Sequence, residues 1–254
     1  MLTLMDGMGP VSQNALLDIC GDIEKCFEME KEDIVKADEN HRVGEKRTWL
    51  FISQRNDPAI YDRAKQIFDI SISKGIHIVT LEDAAFPERF RRLLDLPVLL
   101  YVKGDLRINE FHGSVGIVGA RRCSTEGKEK AIETALSAVR EGYAVISGMA
   151  KGIDSYAHTA ALKVHGYTIA VLGNGVDICY PKEHDKLYEE IVMHGCILSE
   201  YLPGTPPREY QFPRRNRLIA ALSDVLYVID AGRNSGTAST VQNAEKYGRK
   251  VKRI

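Results

Sequence analysis

Glycines, arginines and hydroxyl side chains, gathered where apolar runs end, are the groups in this chain best placed to do chemistry. The segment Ser147–Leu162, SGMAKGIDSYAHTAAL, follows the apolar run Tyr143–Ile146 and enters a helical pattern near Ile153. Gly148 and Gly152 let the backbone approach a ligand, while a helix N-terminus offers unpaired N–H groups and a partial positive charge. Such a turn suits an anion, most often a phosphate, and Lys151 adds a cation to it. VGIVGARRCS (Val115–Ser124) likewise ends in Gly119 and Ala120, followed by Arg121 and Arg122. FPRRNRLIAAL (Phe212–Leu222) places Arg214, Arg215, Asn216 and Arg217 behind Pro213, a residue suited to the first position of a helix. RNSGTAST (Arg233–Thr240) supplies Ser235, Gly236 and Thr237 after the run Val225–Ile229.

An arginine fork holds phosphate oxygens two at a time, so the chemistry these residues share is phosphate holding. Arg121 is expected to be a direct phosphate ligand. Arg215 and Arg217 are expected to add charge-assisted contacts, unless one of them pins its helix to a neighbouring loop. Ser147 is expected to bond either backbone or phosphate. Tyr180, Tyr201, Tyr210 and Phe212 supply either a stacking surface for bases or packing.

Catalytic readings fit less well. A nicotinamide fingerprint needs GxGxxG and an acid about twenty residues further on. Gly116 and Gly119 are out of phase with it, and no acid stands at Ser147-Gly148. A Ser147, Asp154, His158 triad is a second reading. The spacing of Asp154 and His158 puts both on one helical face, where their contact is expected to fix the glycine loop rather than activate the serine. No catalytic residue is assigned. The seven histidines and the five cysteines (Cys20, Cys26, Cys123, Cys179, Cys196) show no metal-ligand spacing. No metal or cofactor is therefore expected, and reduced thiols point to a cytoplasmic protein.

These loops need a frame. Five short apolar runs end in glycine, serine or asparagine, mostly with a helical pattern after them. That is the rhythm of a parallel α/β sheet, whose carboxyl-end loops form the binding edge. Thr125–Glu141 carries Ala131, Ile132, Ala135, Leu136 and Val139 on one face, as a sheet-covering helix does, with Ser124 or Thr125 to cap it. Ile76–Thr80 and Val98–Val102 read as two further strands. Residues 1–75 read as helical, with an apolar cluster around Ala15–Ile19 and Ala64, Ile67, Phe68 and Ile72 at helical spacing. Lys36–Lys46 is the expected long loop within this region, and Gly7–Pro10 has the make-up of a helix-hairpin-helix turn. Two units are expected: a helical one over 1–75, SAM-like or helix-hairpin-helix-like, and a Rossmann-like one over 76–254.

Composition agrees with a soluble chain of 254 residues, at 44% hydrophobic and 27% charged. No apolar run approaches the ~20 residues of a membrane span, and MLTLMDGMGP lacks the layout of a signal peptide. Charge is uneven. Residues 1–75 hold 10 Lys and Arg against 14 Asp and Glu, whereas Thr205–Ile254 holds 10 against 4. An acidic helical front therefore suits an accessory or interaction role, and only the basic back suits a polyanion.

The order GAR, SGxAxGID then AH, GxGxDxxYP, SExxxGxxP, FPxRNR and SGT, from about Ile76 onward, resembles the DNA-processing protein A family, DprA, also called Smf. The resemblance implies a Rossmann-like fold with helices on both faces of a mostly parallel sheet. It also implies a protein that binds and protects single-stranded DNA and helps load a RecA-type recombinase in natural transformation. Homodimers are implied as well. His184 departs from the family's usual asparagine, and Asn234 stands where a basic residue commonly precedes Ser-Gly. The chain stops at Lys250–Ile254, before the family's last sheet segments and frequent winged-helix module, as a short or truncated member would. The alternative is a nucleotide N-glycosidase of the lysine-decarboxylase-like fold. Its signature puts glutamates after PGGxGT, and Asn234–Thr240 has no carboxylate to steady a cationic ribose or activate water.

Overall fold

The computed structural model describes residues 1–91, 93, 95–232 and 236–254. Local chemistry sets the helix starts. Pro10 and Pro58 open α1 (Pro10–Cys20) and α5 (Pro58–Ser73), where a missing N–H costs nothing. Asp22 accepts from Lys25 N at 2.8 Å to cap α2 (Ile23–Glu28), and Asp57 accepts from Ala59 N at 2.8 Å before α5. Between them lie α3 (Lys31–Ala37) and α4 (Glu45–Gln54). The loop expected over Lys36–Lys46 is shorter, because α3 and α4 take its ends. Within it the Asp38 carboxylate gathers the N–H groups of Arg42, Val43 and Gly44 at 2.8–3.1 Å. This helical front has its own core, built on Leu16, Cys26, Ile34 and Phe51.

The strands follow as β1 (His77–Thr80), β2 (Leu99–Gly104), β3 (Ser114–Gly119), β4 (Ala144–Ser147), β5 (Thr168–Val171), β6 (Cys196–Ser199), β7 (Val225–Ile229) and β8 (Lys250–Arg253). Between them come α6 (Thr125–Arg140), α7 (Ile153–Lys163), α8 (Asp185–His194), α9 (Gln211–Leu222) and α10 (Ala238–Lys246). One eight-stranded sheet results, in the order β1-β2-β6-β5-β4-β3-β7-β8. Its run from β6 to β8 is parallel, and β2 is antiparallel to both β1 and β6. The expected mostly parallel, Rossmann-like sheet is present.

Parallel strands covered on both faces must be apolar on both, and β4, β5 and β6 are buried throughout. On one face Ile146, Ile169, Leu198 and Leu226 meet Leu218, Ile219 and Val241 of α9 and α10. On the other, Ile117, Val145 and Ile229 meet Ala131, Ala135, Ile153 and Ala157 of α6 and α7. The helical front joins the sheet edge through Ile67 of α5 and through Asn14 Nδ2, which donates to Leu96 O at 2.8 Å.

Candidate nucleic-acid interface

From β3 the chain goes through α6 to β4 on one side, and α9 returns it to β7 on the other. Loops that diverge in this way leave a crevice at the carboxyl ends of the strands. Here it measures about 520 Å³ and is lined by Gly119 at the end of β3 and Arg121 after it, by Phe212, Arg215 and Asn216 of α9, and by Gly236 and Thr237 before α10.

The floor of this crevice is filled by the protein itself. Asp154, in the first turn of α7, accepts from Gly148 N at 3.1 Å and Ala150 N at 3.4 Å. A carboxylate of the chain thus takes the backbone donors that a phosphate was expected to take. Arg215 lies buried beside it. Its Nη1 donates to Gly148 O at 3.0 Å and to Val171 O, and its Nε to Asn216 Oδ1 at 3.3 Å. Burial pushes the Asp154 carboxyl up, against the Arg215 charge and the two N–H bonds that pull it down. Burial likewise pulls Arg215 down to about 10, which leaves it charged at neutral pH.

Three glycines of the expected phosphate cradle, Gly119, Gly148 and Gly152, are each packed closely against the chain itself. A Cβ on Gly148 would stand 2.6 Å from Arg215 Nη2, and one on Gly119 would stand 2.1 Å from Ile229 O. Gly152 takes φ +77°, and its Cβ would stand 2.3 Å from Ala120 O. Ser147 Oγ donates to Ile117 O at 2.6 Å, so of its two expected partners the backbone is the one it has. The expected Asp154–His158 contact is replaced as well. Thr168 Oγ1 donates to Val145 O at 2.8 Å, so it accepts from His158 Nδ1 at 2.7 Å. That fixes the tautomer and leaves His158 Nε2 buried without a partner. Burial, helped by nearby His184 and Arg215, lowers the His158 pKa to about 3.

The rim is different. Arg121 and Arg122 are exposed and form no hydrogen bond or ion pair among the described residues, while the Arg121 guanidinium lies 6.0 Å from the Phe212 ring centre. Tyr180, 42% exposed, stacks on Phe212 at 5.5 Å, and Tyr210 is 63% exposed. Gly236 faces open space, since a Cβ there would meet nothing within 4 Å. Asn216 Nδ2 ties this loop to α9 through Gly236 O at 3.2 Å and Ser239 Oγ at 3.0 Å. Thr237 is buried at the start of α10. Lys151 is exposed but paired with Glu183. The expected sites Ser235 and Asn234 lie outside the described residues.

Of the arginines expected to project from α9, only Arg214 is exposed, and it lies 3.8 Å from Glu200 Oε1. Arg217 is corrected to an internal partner: its Nη2 donates to Glu200 Oε2 at 2.6 Å under near-complete burial. Arg215 is corrected likewise, to the pin between α9 and the loops after β4 and β5. The reason lies in burial on all sides: α9 is enclosed from Arg215 to Leu222, so even side chains two positions apart, on opposite faces, are both covered. Glu200 was not singled out from the sequence, although the Ser-Glu pair at the end of β6 marks a strand end as the other loops do. Among the described residues no group of His, Cys, Asp and Glu is placed to hold a metal, and no helix is long and apolar enough to cross a membrane.

The family model described as DNA recombination-mediator protein A matches residues 77–254. The DNA processing protein DprA of Streptococcus pneumoniae is 39% identical over 204 residues, which cover 79% of this chain and 72% of that protein. The X-ray structure of that DprA superposes with a TM-score of 0.79 at 32% identity, over 99% of this chain and 84% of the other. DNA processing protein A of Helicobacter pylori, solved for its single-stranded DNA binding mode, gives a TM-score of 0.64 at 34% identity, over 71% of this chain and 81% of the other.

Proposed function

The chain belongs to the DNA recombination-mediator protein A family, and on that premise we propose that it binds single-stranded DNA across the rim of the crevice. Backbone phosphates are held first by Arg121 and Arg122, with Arg214 and Lys151 joining as DNA displaces Glu200 and Glu183. Bases stack on Tyr180 and Tyr210, a sequence-tolerant contact because every base has a π-face. Arg215, Asp154 and the glycines of the β4 loop act beneath, as the support that holds Phe212 and the rim in place. The observation that carries this reading is Arg121, exposed and with no hydrogen bond or ion pair among the described residues. It lies against Phe212 and its stacked Tyr180 where the sheet's connections diverge, with exposed Arg122 next to it in sequence. In this reading the protein is cytoplasmic and not an enzyme. It protects incoming strands, works as a homodimer and hands DNA to a RecA-type recombinase, roles that rest on the family resemblance.

The test is binding of a labelled oligothymidylate as a function of salt. Each neutralised phosphate releases counterions, so log affinity should fall with log salt at a slope of roughly −0.7 per contact. Affinity that ignores salt, or equal affinity for duplex, defeats the reading. The glycosidase alternative predicts release of free base from AMP at ordinary turnover, on the order of 1 per second or faster. No release is expected, because Asp154 already holds two backbone N–H groups.

A further inference from the structure

α5 has two seams, and only one of them is used. Ile60, Ala64, Ile67 and Ser71 turn inward, against the helical core and the sheet edge. One residue round the helix stand Tyr61, Lys65, Phe68 and Ile72, spaced four, three and four, the repeat of a helix that packs along another helix. Tyr61, Phe68 and Ile72 are 59, 54 and 63% exposed. Rings of this size carry 150–250 Å² each, so the outer seam shows roughly 300 Å² of apolar surface, the lower end of the size that a monomer's largest, often functional, patch reaches. Asp62 and Asp69 flank it on the side away from the inner seam. Neither they nor Lys65 form a hydrogen bond or ion pair among the described residues.

We propose that this outer seam receives an amphipathic helix of another protein, whose apolar stripe is edged by Lys or Arg. Charge decides the occupant. A second copy packed antiparallel would set the two Asp62–Asp69 rows side by side, and one packed parallel would stack Lys65 on Lys65. Residues 1–75 carry four more acids than bases, which disfavours nucleic acid and anionic membrane alike. A basic-edged helix meets Asp62 and Asp69 with opposite charge and leaves the three apolar side chains a matching stripe.

The probe is a fluorescein-labelled synthetic helix of 18 residues, with leucine at the seam positions and lysine at the flanking ones, set against the same peptide with glutamate flanks. The full chain should bind the lysine peptide saturably and the glutamate peptide at least roughly tenfold more weakly. Phe68→Glu with Ile72→Glu should abolish binding without moving the thermal midpoint, because both side chains are exposed. Asp62→Lys with Asp69→Lys should reverse the preference between peptides. Equal binding by the wild type and the Phe68→Glu, Ile72→Glu chain overturns the proposal, as does a preference that ignores the aspartate swap. Sedimentation showing a dimer that Phe68→Glu dissolves overturns it in favour of a second copy.

Discussion

Two arginines approach the same ring. Arg121 and Arg215 each lie 6.0 Å from the centre of Phe212, yet one stands on the rim of the crevice and the other forms its floor. On the floor the two charges are met inside the protein, Asp154 by loop N–H groups and Arg215 by carbonyls. Neutral His158 bonds Thr168 through Nδ1 and keeps a bare Nε2. On the rim Arg121 and Arg122 have no hydrogen-bond or ion-pair partner among the described residues. A buried cation left alone is expensive, so the floor is fixed by the chain, whereas rim cations lose little by waiting in water. On the proposed reading the binding surface is made by what the fold leaves unanswered, and the answered groups beneath hold it in shape.

Arg215→Met tests this division most severely. It leaves Asp154 buried without its nearby cation, and a loss of about 3–5 kcal/mol of folding stability is expected by urea unfolding. A well-folded Arg215→Met protein that merely binds DNA poorly would move Arg215 to the rim. A second test uses pH. The folded pKa of His158, about 3, lies below its ordinary value of 6.5. As pH falls, the unfolded chain takes the proton first. Stability from this residue is thus complete above pH 6.5 and declines down to pH 3, by about 2 kcal/mol at pH 5. Unfolding midpoints at pH 7 and pH 5 read this directly, and His158→Leu should flatten the difference.

Smaller effects belong to the rim. Arg121→Ala should cost about 1.5 kcal/mol of oligonucleotide affinity, the scale of one charge-assisted hydrogen bond, with an unchanged thermal midpoint. Unfolding of this variant with normal affinity in the folded fraction would place Arg121 with the floor. Arg122→Ala is expected to be the mildest, a change of a few-fold in affinity that lowers the salt slope by roughly 0.7.

The frame was legible in the sequence because burial on both faces writes itself as short apolar runs, and strand ends write themselves as Gly, Ser and Asn. β8 was not. Three of its four residues, Lys250, Lys252 and Arg253, are charged, and the segment becomes a strand only by pairing with β7 at the sheet edge. Gly119, Gly148 and Gly152 were read as room for a phosphate. A glycine that makes room for the chain's own guanidinium or carbonyl looks the same in one dimension. The burial of Arg215 depends on Asp154, Gly148 and Val171, brought together only by tertiary structure. On α5, periodicity found Ala64 and Ile67 facing inward, yet it grouped with them Phe68 and Ile72, which face out.

The middle of the sheet is joined from distant parts of the chain. Tyr101 sits beside Ser199 and Gly116 beside Leu226, whereas the helical front closes its core within its first sixty residues. During synthesis the front can therefore fold while β2 still lacks β6 and β3 still lacks β7. Long-range pairings of this kind fold slowly and keep apolar edges exposed until the last strands arrive. The final quarter of the chain, which brings α9 and its buried arginine, is thus what closes the sheet. Until it emerges, a growing chain carries a finished head and an open, adhesive body, and that interval is where chaperones have the most to hold.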